Sequence, residues 1–134
     1  IFIASSKHFY SKIEKIKEDL EKKGHIIKLP NSYNNQFKEE EMKKISSEEH
    51  VKWKASMLRK EKDNIEPNDA ILVLNLEKNG QKNYIGGATF LEIAKAWEMN
   101  KKIFLFNQIP DNIFKDELTA MKPIILNGDL SKIK

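Results

Sequence analysis

Three segments of this chain, Ala70–Leu74, Lys102–Phe106 and Pro123–Leu126, are apolar runs with no polar alternation inside them. A strand with one wet face alternates apolar and polar residues, so an unbroken run implies burial on both faces. A parallel sheet covered by helices on its two sides meets that condition, and few other architectures do. Two shorter runs, Ile1–Ala4 and His25–Leu29, bring the expected strands to five. Helical spacing fills the intervals. Phe9, Ile13, Ile16 and Leu20 form one stripe, which Gly24 closes as a C-terminal cap. A long polar helix then opens on Ser46-Ser47-Glu48-Glu49, a capping box ahead of Val51, Ala55 and Leu58. Phe90, Ile93, Ala94 and Trp97 mark a third helix, and Asp111–Met121 a short fourth. Strands alternating with helices predict an α/β three-layer sandwich. Its five-stranded parallel sheet is expected to be flavodoxin- or Rossmann-like, with order 2-1-3-4-5.

At 134 residues the chain fits one domain, residues 1–134, since half that length would not bury a core of its own. No apolar run approaches the roughly 20 residues that span a bilayer, so no membrane partner is expected. Ile1-Phe2-Ile3-Ala4 lacks the basic flank and long apolar segment of a signal peptide, which makes the expected location cytoplasmic. With no cysteine and three scattered histidines (His8, His25, His50), the sequence points to no metal site and no cofactor. The net charge of +4 comes from lysines interspersed with glutamates, as in Lys12, Glu14, Lys15, Lys17, Glu18 and Glu21. That is a solvated helix face and not a stripe for a nucleic-acid polymer.

The chemistry concentrates in Asn83-Tyr84-Ile85-Gly86-Gly87-Ala88-Thr89-Phe90-Leu91-Glu92, which follows the strand Ala70–Leu74 and opens a helix. Gly86 and Gly87 let backbone approach a ligand closely, and the helix start directs unpaired N–H groups at the same place. Glu92 lies on the flank of that helix, where a carboxylate can serve as nucleophile or as stabiliser of an oxocarbenium-like centre. It is equally a residue that favours the helix dipole. Glu61, on the preceding helix, is a possible second acid. Ser5, Ser6 and Lys7 follow the first strand and fit an anion such as phosphate, or else an ordinary serine cap. Thr89 can offer a hydroxyl to the same site or cap its own helix. Three strands end in asparagine (Asn75, Asn107, Asn127), at the carboxyl edge where open α/β sheets bind ligands. Asn75, beside the first strand's end, is the strongest of these for substrate contact, although asparagine also simply suits a turn. The polar loop Pro30–Gln36 could be a lid or only a connection. Glu77–Lys82 reads as a mobile loop.

Asp69 to Asn107 contains Asp-Ala-Ile-Leu-Val-Leu-Asn, Gly-Gly-Ala-Thr-Phe-Leu-Glu-Ile-Ala-Lys-Ala and Asn-Lys-Lys-Ile-Phe-Leu-Phe-Asn. This run resembles the nucleoside 2-deoxyribosyltransferase-like proteins, which include the 2′-deoxynucleoside 5′-monophosphate N-hydrolases. The resemblance implies that Glu92 is the counterpart of the glutamate that attacks the anomeric carbon, and that Glu61 loosely matches a second acid. It also implies sites built near subunit contacts. Transferases of the family place an aspartate six residues before the nucleophile, where this chain has Gly86, so hydrolysis is favoured over transfer.

The expected function is therefore an N-glycosidase that cleaves the base–sugar bond of a nucleoside or (deoxy)nucleoside 5′-monophosphate through a glutamate nucleophile. Catalysis would fall to Glu92 and Glu61. Binding would fall to Ser5, Ser6, Lys7, Asn75, Gly86, Gly87 and Thr89. The alternatives are a nucleotide-binding module without turnover and a nucleoside deoxyribosyltransferase. Trp53 and Met57 lie off the Val51–Ala55–Leu58 stripe and, with Trp97, read as core or dimer contacts, which predicts a homo-oligomer. Helix-start N–H groups and Lys7 are expected to outweigh burial and keep Glu92 ionised at neutral pH.

Overall fold

The computed structural model describes all residues, 1–134. Four parallel strands form one sheet: β1 (Phe2–Ala4), β2 (Ala70–Val73), β3 (Lys102–Leu105) and β4 (Ile124–Ile125), in the order β1-β2-β3-β4. The register aligns Phe2 with Ile71, Ile71 with Ile103, and Phe104 with Ile124. The two central runs are buried on both faces as expected, by two cores, whereas the run Pro123–Leu126 yields only the edge strand β4, with Ile124 44 % exposed. Phe2, Ala4, Ile71, Val73, Ile103 and Leu105 point to one face, and Ile3, Ala70, Leu72, Leu74 and Phe104 to the other.

Helices cover both faces. α1 (Ile13–Lys22) buries Ile13, Ile16 and Leu20 against the second set of strand residues. On the opposite face lie the end of α3 (Ser47–Ile65) through Ile65, α4 (Gly87–Glu98) through Ile93 and Ala96, and α5 (Lys115–Met121) through Leu118. The result is a Rossmann-like α/β fold. No helix is long and apolar enough to cross a membrane.

Two corrections to the expected topology follow. The sheet has four strands in order β1-β2-β3-β4, not five in order 2-1-3-4-5. His25–Leu29 reaches the β1 edge but makes only one parallel bridge, Phe2 to Lys28, through Lys28 N–H to Ile1 O (2.8 Å) and Ile3 N–H to Lys28 O (2.9 Å). β1 is only three residues long, and Pro30 has no N–H with which to extend the ladder. Ile26 is left 87 % exposed, so little apolar burial favours a longer pairing.

The second correction is a helix without an apolar signature, α2 (Lys38–Ile45), which packs on α3 and buries no residue fully. It stops at Ser46, whose extended backbone ends one helix while its hydroxyl accepts the Glu49 N–H at 3.0 Å to start the next. The expected mobile segment Glu77–Lys82 contains a tight turn. Lys78 and Gln81 exchange two backbone hydrogen bonds of 2.9 Å around Asn79 and Gly80, both at positive φ.

Candidate active-site cleft

A cleft of about 280 Å³ opens beside the carboxyl end of β1. One wall is the turn after β1, with Ser5, Ser6, Lys7 and Tyr10, and a second is the start of α4, with Gly86, Gly87, Ala88, Thr89 and Glu92. The third comes from α3. Trp53, Lys54, Met57, Leu58 and Glu61 are spaced three or four residues apart on one helical face, so all of them reach the same space. Asn31, Ser32, Asn35 and Gln36 of the Pro30–Gln36 loop form the rim.

Eight of the nine expected site residues therefore meet in one place: Glu92, Glu61, Ser5, Ser6, Lys7, Gly86, Gly87 and Thr89. Asn75 does not line the cleft. It is fully buried and donates from Nδ2 to the carbonyls of Gln108 (2.8 Å) and Asn107 (3.2 Å). Its Oδ1 accepts the Asn107 N–H at 2.8 Å, and Asn107 Nδ2 returns a bond to the Asn75 carbonyl at 3.2 Å. Gln108 Nε2 continues the chain to Asn127 Oδ1 at 2.8 Å. The strand-end asparagines thus sew the edge over β2 and β3 shut.

Local geometry sets what the cleft residues offer. Ser6 caps the 3-10 turn Lys7–Lys12, its hydroxyl accepting the His8 N–H at 3.3 Å, and the buried Ser5 hydroxyl donates to the Ser6 carbonyl at 3.0 Å. Gly86 is the N-cap of α4 and supplies no side-chain acceptor. The N–H groups of the first turn, at Gly87, Ala88 and Thr89, therefore have no intrahelical partner and lie along the cleft wall. A methyl group on Gly86 would stand 3.0 Å from the Tyr84 hydroxyl, whereas one on Gly87 would enter open space. Thr89 is buried and does not act as the cap.

The carboxyl groups are strongly perturbed. Burial, followed by the nearby negative charge of Glu61, pushes Glu92 well above the ordinary carboxylate range, and Lys54 only partly opposes this. Glu61 is pushed up to about 7 by burial, against the pull of Lys54 and Lys95. The direction is opposite to the expected one, in which helix-start N–H groups and Lys7 outweigh burial. The unpaired N–H groups end at Thr89, so Glu92 sits a turn deeper, where backbone donors are already used. The expectation also lacked the second carboxyl group. Tyr10 adjoins the pair, and burial plus the charge of Glu92 raise its phenol to about 12.

Two cations of the wall are matched. Lys7 is ion-paired with Glu40 of α2, and Lys54 lies 3.5 Å from Glu39. Burial opposes charge on Glu39, but the 2.9 Å hydrogen bond from His50 and the Lys54 and Lys43 ammoniums bring its carboxyl below the usual value. Lys78 sits 4.6 Å over the Tyr84 ring. Tyr10, Trp53, Lys54, Met57 and Tyr84 were not expected here. For the α3 residues the signal was available: counting back in helical turns from Glu61 reaches Met57, Lys54 and Trp53.

Comparison of the chain with protein-family models, with curated proteins and with solved structures finds no match in any of the three.

Proposed function

We propose that the chain is an N-glycosidase of the nucleoside 2-deoxyribosyltransferase-like kind, cleaving the base–sugar bond of a nucleoside or nucleoside 5′-monophosphate. The observation that carries this reading is the pairing of Glu61 and Glu92 in one cleft, each with a raised carboxyl pKa. Two neighbouring carboxyl groups that repel each other and are both pushed up, Glu61 to about 7, favour the state in which one holds a proton and the other is charged. Such a pair presents one acid and one carboxylate, which glycoside cleavage requires.

The pair shares the proton, so that one glutamate is the acid and the other the anion. As the C1′–N bond breaks, its electron pair passes to the base nitrogen, which takes the proton from the acid member. The carboxylate member meets the positive charge that develops at C1′, by stabilisation or by covalent attack, and water completes hydrolysis. The first-turn N–H groups of α4 and the Ser5 and Ser6 hydroxyls face the sugar. Met57 and Trp53, one and two turns back from Glu61, offer apolar surface to the base.

A base-release assay over a panel of nucleosides and nucleotides tests the reading. Release by the wild type should fall by at least about 100-fold in Glu92→Gln and Glu61→Gln, in line with the loss of an acid–base group. Equal release by all three proteins would remove both glutamates from catalysis. A binding module without turnover is the second reading. It is favoured by Gly86, which stands where transferases carry an aspartate. Micromolar nucleotide binding with no base release over hours would establish it.

Homo-oligomerisation is also proposed, from the half or greater exposure of Val51 and Trp97 on α3 and α4. Sedimentation showing only monomer at tens of micromolar protein would refute it.

A further inference from the structure

We propose that Glu40 sets the substrate class of this cleft: by holding the Lys7 ammonium it selects a nucleoside with a free 5′-hydroxyl over the corresponding 5′-monophosphate. The inference rests on the glycosidase reading above. A nucleotide-selective site gains from a cation or bidentate donor that is free to turn to the phosphate, and Lys7, at the turn after β1, is not free. Of the three lysines of the wall, Lys7 is paired with Glu40 and Lys54 with Glu39, while Lys78 keeps its charge and is held over the neutral Tyr84 ring.

The place where a 5′ group would arrive is visible. A side recess of about 250 Å³ shares Ser6, Lys7, Gln36 and Lys78 with the main cleft and is completed by His8, Phe37 and Glu40. Lys7 and Glu40 are separated by 33 residues, so their contact is a tertiary one that ties α2 to the turn after β1. A phosphate dianion that takes Lys7 in the recess lies beside the Glu40 carboxylate, with the Glu61–Glu92 pair in the adjoining cleft. Taking Lys7 for itself would strand Glu40, one oxygen of which is already buried without a donor. A 5′-hydroxyl raises no such conflict. It donates a hydrogen bond to that carboxylate while Lys7 stays in place. Discrimination thus comes from a repulsive element built into the site.

Equilibrium binding followed by amide NMR shifts would test this, using the four common 2′-deoxynucleosides and their 5′-monophosphates against the wild type, Glu40→Gln and Glu41→Gln. The wild type should bind at least one nucleoside about tenfold or more tightly than its monophosphate. Glu40→Gln should abolish or invert that preference. Glu41→Gln, which removes the same charge from an exposed position of α2, should keep it. A wild-type preference for monophosphates would overturn the inference while leaving the glycosidase reading intact. So would an equal change in the two variants. Binding of neither ligand set would overturn the glycosidase reading and this inference with it. If Glu40→Gln does not fold, Glu40→Ala replaces it, and the wild-type comparison already decides the direction.

Discussion

Over β2 and β3 the carboxyl edge of the sheet is closed by amides, whereas beside β1 it opens between carboxyl groups. Asn75 is as deeply buried as any residue in the protein, and each of its polar atoms has a partner. Glu61 is 7 % exposed, yet burial and charge alone account for its shift, with no hydrogen bond to hold the ionised form. Glu92, half-buried by accessible surface, likewise has no hydrogen bond to hold its ionised form. A satisfied buried network rigidifies a fold, while a partly desolvated pair without protein hydrogen-bond partners, facing an open cleft, keeps its interaction energy for something else. One end of the edge is therefore architecture and the other is available for chemistry.

The largest effect that can break this comparison is catalytic. Glu92→Gln should lower base release by at least about 100-fold while leaving folding stability unchanged or higher, because it removes a desolvated acid and its repulsion with Glu61. Loss of stability together with activity would place Glu92 in the architecture instead. Asn75→Ala is the mirror experiment. It leaves the Asn107 N–H and two carbonyls without their partner at half-buried Asn107 and exposed Gln108, and should cost about 1–2 kcal/mol in chemical denaturation. A change under about 0.5 kcal/mol would mean that water replaces the amide and that the edge is not sealed.

These two residues also mark how far the sequence could be read. Parallel strands were legible in Ala70–Leu74 and Lys102–Phe106 because burial on both faces writes itself into every position. The cleft residues at Ser5–Lys7 and Gly86–Glu92 were legible because strand ends and helix starts are fixed by local chemistry. Asn75 follows an apolar strand and Glu61 lies in the last turns of a polar helix, and neither position reveals whether the side chain finds partners. Which of them finds partners depends on Asn107 and Gln108 in one case and on Glu92 in the other, all distant along the chain. His25–Leu29 reads as a strand, but its pairing is limited by the short β1 opposite. α2 has no apolar stripe to announce it, and its place is fixed by contacts with α3 and by Lys7.

An effect of similar size sharpens the electrostatic half of the comparison. Glu61 titrates at 4.5 in its ordinary state and at about 7 in the fold, so the folded protein binds more protons across that interval. Stability from this group is then fully present below pH 4.5 and is lost as pH rises toward 7, with Glu92 extending the loss higher. The fall should be on the order of 2 kcal/mol between pH 5 and pH 8. Denaturation curves at the two pH values should converge in the Glu61→Gln, Glu92→Gln double variant. A wild type that is flat or gains stability over this range would show that the carboxyl groups are solvated and ordinary.

The smallest effect separates the two glycines of the α4 start, which are alike in sequence. A methyl group at Gly86 would press on the Tyr84 hydroxyl at 3.0 Å, and that ring is in turn engaged by Lys78. At Gly87 nothing lies within 4 Å, and the residue is the first of a helix with ordinary negative φ. Gly87→Ala should therefore raise stability by about 0.5 kcal/mol, since alanine restricts the unfolded chain without straining the fold. The same methyl projects into the cleft, beside the N–H groups assigned to the sugar, so ligand binding should weaken even as the protein becomes more stable. A thermal melt and a nucleoside titration on the one variant read both signs. If Gly87→Ala strengthened the fold and left binding untouched, the sugar would have to lie away from the α4 start, against the Pro30–Gln36 rim.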